Sequence, residues 1–200
     1  MTDADLGLPL PLPVPSPEMQ DRLSRRRSAP AQALAAPGPS PAEVARILAL
    51  GARTPDHGKL FPWRFVVMGP RTRGELAAAL IPLAARQPGP DKARAVLGKL
   101  TAAPVTILVV SAPVPDPKVP RWEQELSAGA VCMNLEHAAG ALGYSASWIT
   151  DWYSYDREAL ALYGVGEDER VAGFVHIGTL AEPPLERPRP DMTALTVWRD

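Results

Sequence analysis

The spacing of hydrophobic positions changes several times along the chain, and each change predicts an element. Ser16-Pro17-Glu18 places a capping hydroxyl before a proline suited to the first helical position, so ordered structure is expected to begin there. That first helix is expected to end at Arg26-Arg27-Ser28. Ser40-Pro41-Ala42-Glu43 is a capping box with proline in the first turn, and Val44, Ile47, Leu48 and Gly51 then share one helical face. Residues 53–63 follow neither the helical nor the strand period and read as an irregular loop, with a short strand over residues 64–68. Thr72-Arg73-Gly74-Glu75 has the form of another capping box, opening a helix that Pro82 bends or shortens. Residues 91–100 read as a further helix.

Val105-Thr106-Ile107-Leu108-Val109-Val110 is apolar almost throughout and rich in β-branched residues, as expected of a strand buried on both faces. Residues 122–142 form the longest helical segment, stopped by Gly143, which tolerates the left-handed conformation that ends helices. Residues 144–149 read as extended, 156–163 as a short helix capped by Asp156 and ended by Gly164, and 171–177 as a final strand. Helices interleaved with four strands, over connections too long for a meander, predict a single α/β or α+β domain. The long helix carries Ala128, Gly129, Ala130 and the run Ala138-Ala139-Gly140-Ala141. Such small residues suit either a helix buried against a sheet or one approached by a flat ligand, and periodicity does not separate the two.

Proline alters this picture at the ends. There are 24 in 200 residues, against a background of about 5%. Five fall in residues 1–20, four in 30–41 and four in 183–190, which marks those stretches as connections and tails. Pro9-Leu10-Pro11-Leu12-Pro13 reads as a polyproline-like arm. Residues 1–15 are therefore expected to stand outside a domain covering 16–200, either as a disordered tail or as an arm on a partner subunit.

Charge and cysteine content exclude several classes. With 21 Lys plus Arg against 22 Asp plus Glu, the chain lacks the basic excess of a general nucleic-acid binder. A single cysteine excludes an intramolecular disulfide framework or a multi-cysteine metal site. No apolar run approaches the roughly 20 residues of a membrane span, and residues 1–20 lack the basic and apolar regions of a signal peptide. A cytoplasmic protein is expected. The phosphate-binding GxxxxGK[ST] loop, the GxGxxG fingerprint, the GxSxG elbow and the HExxH motif are all absent. Cys132 and His137 lie five apart on one helix and so point in different directions, which disfavours a Cys-His pair. With so little nucleophilic or acid-base equipment, a bound cofactor is the expected carrier of any chemistry.

Four pieces occur in a telling order. Arg26-Arg27-Ser28 closes the first helix; Arg53-Thr54-Pro55-Asp56-His57 and Phe61-Pro62-Trp63 lead into a strand; Ala141 to Ile149 follows the long helix; Gly173 to Thr179 leads to Arg187-Pro188-Arg189-Pro190. This order resembles the FMN-dependent nitroreductase family over roughly residues 18 to 192. Lys118-Val119-Pro120-Arg121-Trp122-Glu123-Gln124-Glu125 resembles the branch of small NAD(P)H nitroreductases, in which such an octapeptide precedes the central helix.

The resemblance implies an α+β, three-layer α/β/α fold with a central, mostly antiparallel sheet and a long central helix. It implies a homodimer that binds FMN and takes hydride from NAD(P)H to reduce a nitroaromatic, quinone or similar acceptor. Arg26, Arg27 and Ser28 would grip the flavin at its N1/O2 edge or its ribityl phosphate; read without the family, they are a solvated basic helix end. Arg53 and His57 would meet a flavin held by the other chain, although Asp56, Lys59 and Phe61 replace the usual Ser, Asn and Gln of that loop. Trp148, Ile149 and Thr150 would run beside the flavin. Ala139, Gly140, Ala141, Leu142, Gly143 and Tyr144 would meet the nicotinamide nucleotide. Gly143 as a helix stop and Trp148 as a core residue explain those two equally well. Arg187 and Arg189 would hold the FMN phosphate, or else belong to a solvated tail. No residue is assigned a catalytic role and no metal is expected. The rival readings are another flavin reaction on the same fold, such as dehalogenation or flavin fragmentation, and a non-catalytic flavin-binding protein.

Overall fold

The apolar run after Pro104 becomes an inner strand, and the rest of the chain is laid against it. A computed structural model describes residues 7–116 and 118–200. Residues 1–6, the beginning of the expected arm, lie outside the described residues; residues 7–15 are exposed and form neither helix nor strand.

The two proline-led helices start as their caps dictate. In α1 (Pro17–Ser24) the Ser16 hydroxyl accepts from the Met19 N–H at 3.3 Å. In α2 (Pro41–Gly51) Ser40 accepts from the Glu43 N–H while Glu43 accepts from the Ser40 N–H at 2.8 Å, closing the capping box. Strand β1 (Trp63–Met68) follows the irregular loop. The next helix corrects the sequence reading: α3 (Pro70–Ala84) begins at Pro70, with Gly69 as its cap, so Thr72 lies inside the first turn. Proline at the first position, pre-set in φ, wins over the Thr72 hydroxyl. Pro82 falls two residues before the end, so the single i→i−4 bond it removes lies in the final stretch and the helix stops soon after it. The helix expected over residues 91–100 is two short ones, α4 (Pro90–Ala95) and α5 (Gly98–Ala102), separated by Val96 and Leu97.

Strand β2 (Val105–Ser111) leads to α6 (Arg121–Ala141), whose stop at Gly143 uses φ +89°. Then come β3 (Ser145–Ile149), α7 (Arg157–Leu162) capped by Asp156, β4 (Arg170–Gly178) and the short α8 (Met192–Leu195). The sheet order is β1-β2-β4-β3, and every pair is antiparallel, so the described sheet is wholly rather than mostly antiparallel.

Side-chain alternation along β2 and β4 divides the core in two. Ile107, Val109, Val175 and Ile177 face Val131, Leu135 and Ile47 of α6 and α2. Leu108, Val110 and Phe174 face Leu80, Leu83, Leu100 and Leu160 of the helices on the other side. This is the three-layer arrangement. Within the helix layer, α2 closes on α6 through a small residue: a Cβ on Gly51 would lie 2.5 Å from Leu135 Cδ2.

One corner of the second core is polar. His176 is paired across the sheet with Thr106 and Ser147, and its Nδ1 lies 2.8 Å from the Thr106 hydroxyl. Arg73, 1% exposed, donates to the Leu100 carbonyl at 2.8 Å and the Pro104 carbonyl at 2.9 Å. Burial, reinforced by the charges of Arg73 and Lys99, pushes the His176 imidazole down to about 4.

Candidate functional site

Where α1 crosses the C-terminal half of α6, the two helices and the start of β3 enclose an open cleft of about 950 Å³, within the range of small-molecule sites. Its polar lining is mostly guanidinium. Arg22, Arg25, Arg26 and Arg27 come from α1 and the turn after it, and Arg53 from the loop after α2; Glu18, Asp21 and Glu136 oppose them. Arginines gathered at a helix C-terminus are favoured by its dipole, so the local fold tolerates this concentration of charge. Gly140 lets the Arg22 guanidinium lie over the end of α6, since a Cβ there would be 2.7 Å from Nη1. Five cations against three carboxylates, beside a helix end of small residues, suit a flat ligand that carries phosphate.

At the inner end of the cleft, three elements meet on one carboxylate. Glu136 of α6 accepts from the Trp148 N–H of β3 at 3.0 Å. It also lies 3.9 Å from Arg26 Nη1. Arg26 in turn donates to the Ser28 hydroxyl oxygen at 3.1 Å. Burial holds the Glu136 carboxyl above the usual range, against the pull of the Trp148 N–H, Arg26 and Ser28. One residue along, His137 is held below its ordinary value by burial and by the charges of Arg26 and Arg22. Cys132, one turn earlier, is fully buried, with its thiol pushed up to about 12 by burial and by Glu136; it is not a nucleophile.

The tail also returns to this motif. Arg27 Nε donates to the Leu185 carbonyl at 3.0 Å, and Arg189 donates to the Arg26 carbonyl at 3.1 Å while pairing with Glu186 at 2.8 Å. Arg187 is exposed, its N–H bonded to the carboxylate of Glu186.

Of the residues singled out from sequence, the cleft therefore brings together Arg26, Arg27, Arg53, Gly140, Ala141 and Tyr144. Arg53 lines the same cleft as Arg26 of its own chain. Tyr144 is anchored by donating its hydroxyl to Glu43 at 3.1 Å. Ala139 is buried in the core, Leu142 packs against it, and Gly143 makes the turn. His57 points elsewhere, with Nδ1 2.7 Å from Glu123 at the start of α6. Ile149 pairs with Phe174 in the sheet, and the Thr150 hydroxyl accepts from Tyr155 at 3.0 Å.

The Trp148 indole is committed to packing. It donates to the Ala172 carbonyl at 3.0 Å and lies over Gly173, where a Cβ would fall 2.0 Å from Nε1. Gly173→Ala is accordingly expected to destabilise the protein by about 2 kcal/mol, as overpacking does. Urea denaturation measures this, and an unchanged midpoint would show that the indole is free to move aside.

Sequence reasoning missed Arg22, Asn134, Glu136 and His137, which all line the cleft. A signal was present: Glu136 and His137 precede Gly140 and Ala141 by one helical turn, the spacing that shares a face.

The model of the Nitroreductase family matches residues 23–179, most of the chain. The chain belongs to the nitroreductase family. Within it, the chain is 35% identical over 141 residues to a protein provisionally named NAD(P)H nitroreductase YdjA from Escherichia coli strain K12, covering 68% of this chain and 75% of that one. Among solved structures, a nitroreductase-like family protein from Bacillus cereus superposes with a TM-score of 0.79 at 18% identity, covering 94% and 99% of the two chains. A nitroreductase with bound FMN from Bacteroides fragilis NCTC 9343 gives 0.71 at 22% identity, covering 92% and 100%. The nitroreductase fold is thus shared over nearly the whole chain.

Proposed function

We propose that this nitroreductase-family chain is an FMN-dependent oxidoreductase that takes hydride from NAD(P)H and reduces a nitroaromatic, a quinone or a similar oxidised acceptor. The observation that carries this is the arginine-lined cleft in which Arg26, Arg27 and Arg53 meet the small-residue end of α6. The name of the Escherichia coli relative and the FMN bound to the Bacteroides fragilis neighbour support the donor and the cofactor.

FMN, when bound, supplies the hydride chemistry, which accords with a site offering no nucleophile. The protein's part is to bind and orient. Arg27, which lies against the returning tail, and Arg189 would hold the phosphate together with Arg187, a reading supported by the tail's bonds to Arg26 and Arg27. Arg26, next to Glu136, would meet the N1/O2 edge, where a guanidinium favours the negative charge that reduction builds. Gly140 to Tyr144 leave room for the nicotinamide nucleotide.

We assign the flavin unit to residues 16–200, with 1–15 outside it, in a homodimer of the cytoplasm. A second copy would cover apolar side chains left exposed here: Met19 and Leu23 of α1, and Leu195, Val197 and Trp198 of the tail, with Trp198 at 90% exposure. His57 and the main chain of Trp148 to Thr150 would meet the flavin in that assembly. No helix among the described residues is long and apolar enough to cross a membrane.

The purified protein is expected to be yellow or to take up one FMN per subunit. NADH or NADPH should bleach it anaerobically, and a nitroaromatic or quinone should restore the colour. A colourless protein that ignores added FMN would sink this reading. FMN that binds but is not bleached would leave a flavin-binding protein.

A further inference from the structure

We propose that Glu136 is a positioning residue of the flavin site: from α6 it fixes Arg26 against β3 and offsets the positive charge that Arg26 presents to the cofactor. This rests on the FMN reading above.

The argument begins with its surroundings. Glu136 is 8% exposed, on a helix whose neighbouring buried positions are Cys132, Leu135 and Ala139. A carboxylate in such a place is costly, and a neutral acceptor such as glutamine would serve the Trp148 N–H without that cost if only a core were needed. Its partners are not scattered. Arg26 belongs to the turn after α1 and Trp148 to β3, so one side chain ties together two positions of the expected cofactor site.

The geometry around Arg26 sharpens the assignment. The Ser28 hydroxyl oxygen accepts from the Arg26 guanidinium at 3.1 Å and so helps to hold it in place. Glu136 orients the same guanidinium through its own charge at 3.9 Å. The titratable groups around it are Arg26 from the turn after α1 and Cys132 on its own helix, while Arg22 and His137 line the same cleft. A buried negative charge this close weakens the field of Arg26 at the flavin, and so holds the flavin's reduction potential down.

Two variants test this on protein reconstituted with FMN. Glu136→Gln keeps an acceptor for the Trp148 N–H but removes the charge. Its apo form is expected to melt near wild type, while the midpoint potential of bound FMN shifts upward. A purely structural glutamate would move melting and leave the potential alone. Glu136→Ala frees Arg26, and FMN and riboflavin should both bind at least tenfold more weakly, because the ring end is affected. A Glu136→Gln potential equal to or below wild type overturns the proposal, as does wild-type affinity in a folded Glu136→Ala. If Glu136→Ala does not fold, the Glu136→Gln potential decides alone. A wild-type chain that takes up no FMN fails the cofactor reading itself, and this proposal with it, before any variant is compared.

Discussion

Replacing both Arg26 and Arg27 with alanine is expected to weaken FMN binding by roughly 3–6 kcal/mol, a hundredfold to more than ten-thousandfold. Hydrogen bonds to charged groups are worth about 1.5–3 kcal/mol each, and every 1.4 kcal/mol is tenfold in affinity. The two arginines should differ in kind. Arg27 sits against the tail, its Nε on the Leu185 carbonyl, close to Arg189 and the proposed phosphate end. Its loss should weaken FMN but leave riboflavin, which lacks the phosphate, nearly untouched. Arg26 lies inward beside Glu136, and its loss should weaken both flavins. The single effects will not simply add, because removing Arg26 leaves a buried carboxylate without its cation, which then takes up a proton more readily. Quenching of flavin fluorescence on titration measures all three variants. Either single variant binding FMN within twofold of wild type would remove that arginine from the site.

A second large effect is expected from acid. His176 is neutral in the folded protein down to about pH 4, because burial and the nearby Arg73 and Lys99 oppose its proton. In the unfolded chain it titrates near 6.5. Between those values the unfolded state binds the extra proton, so stability rises with pH there. This contribution is complete above pH 6.5 and is lost as pH falls to about 4, amounting to about 3 kcal/mol for a shift of that size. Replacing His176 with asparagine, which can still bond the Thr106 hydroxyl but does not titrate, should flatten this part of the profile. Equal slopes for the two proteins in denaturation between pH 7 and pH 4 would show that His176 charges freely in the fold.

Elements governed by local chemistry were legible in the sequence. The Ser40 capping box, the doubly buried strand after Pro104 and the Gly143 stop depend on neighbours within a few residues. Thr72 misled because two start signals lay within three residues of each other and the proline at 70 prevailed. The arginines at 25–27 were visible for the same local reason. Glu136 was not: its spacing to Gly140 marks a shared face but does not explain a carboxylate among Leu135, Ala138 and Ala139, whose reason Arg26 and the main chain of Trp148 supply only after folding. For His57 and the Trp148 indole the partners within one chain were what the sequence did not disclose. Their residue types invite a cofactor role, yet within one chain they bond to Glu123 and Ala172.

The tail crossing described for Leu185 to Arg189 bears on how the protein is handled. Its carbonyl and guanidinium clasp the Arg26-Arg27 pair from outside, through the two bonds at 3.0 and 3.1 Å. A truncation ahead of Leu185 therefore removes both bonds and acts on the presentation of the two arginines even though it alters no residue of the cleft. A preparation shortened in this way is expected to hold its colour less firmly than the full chain.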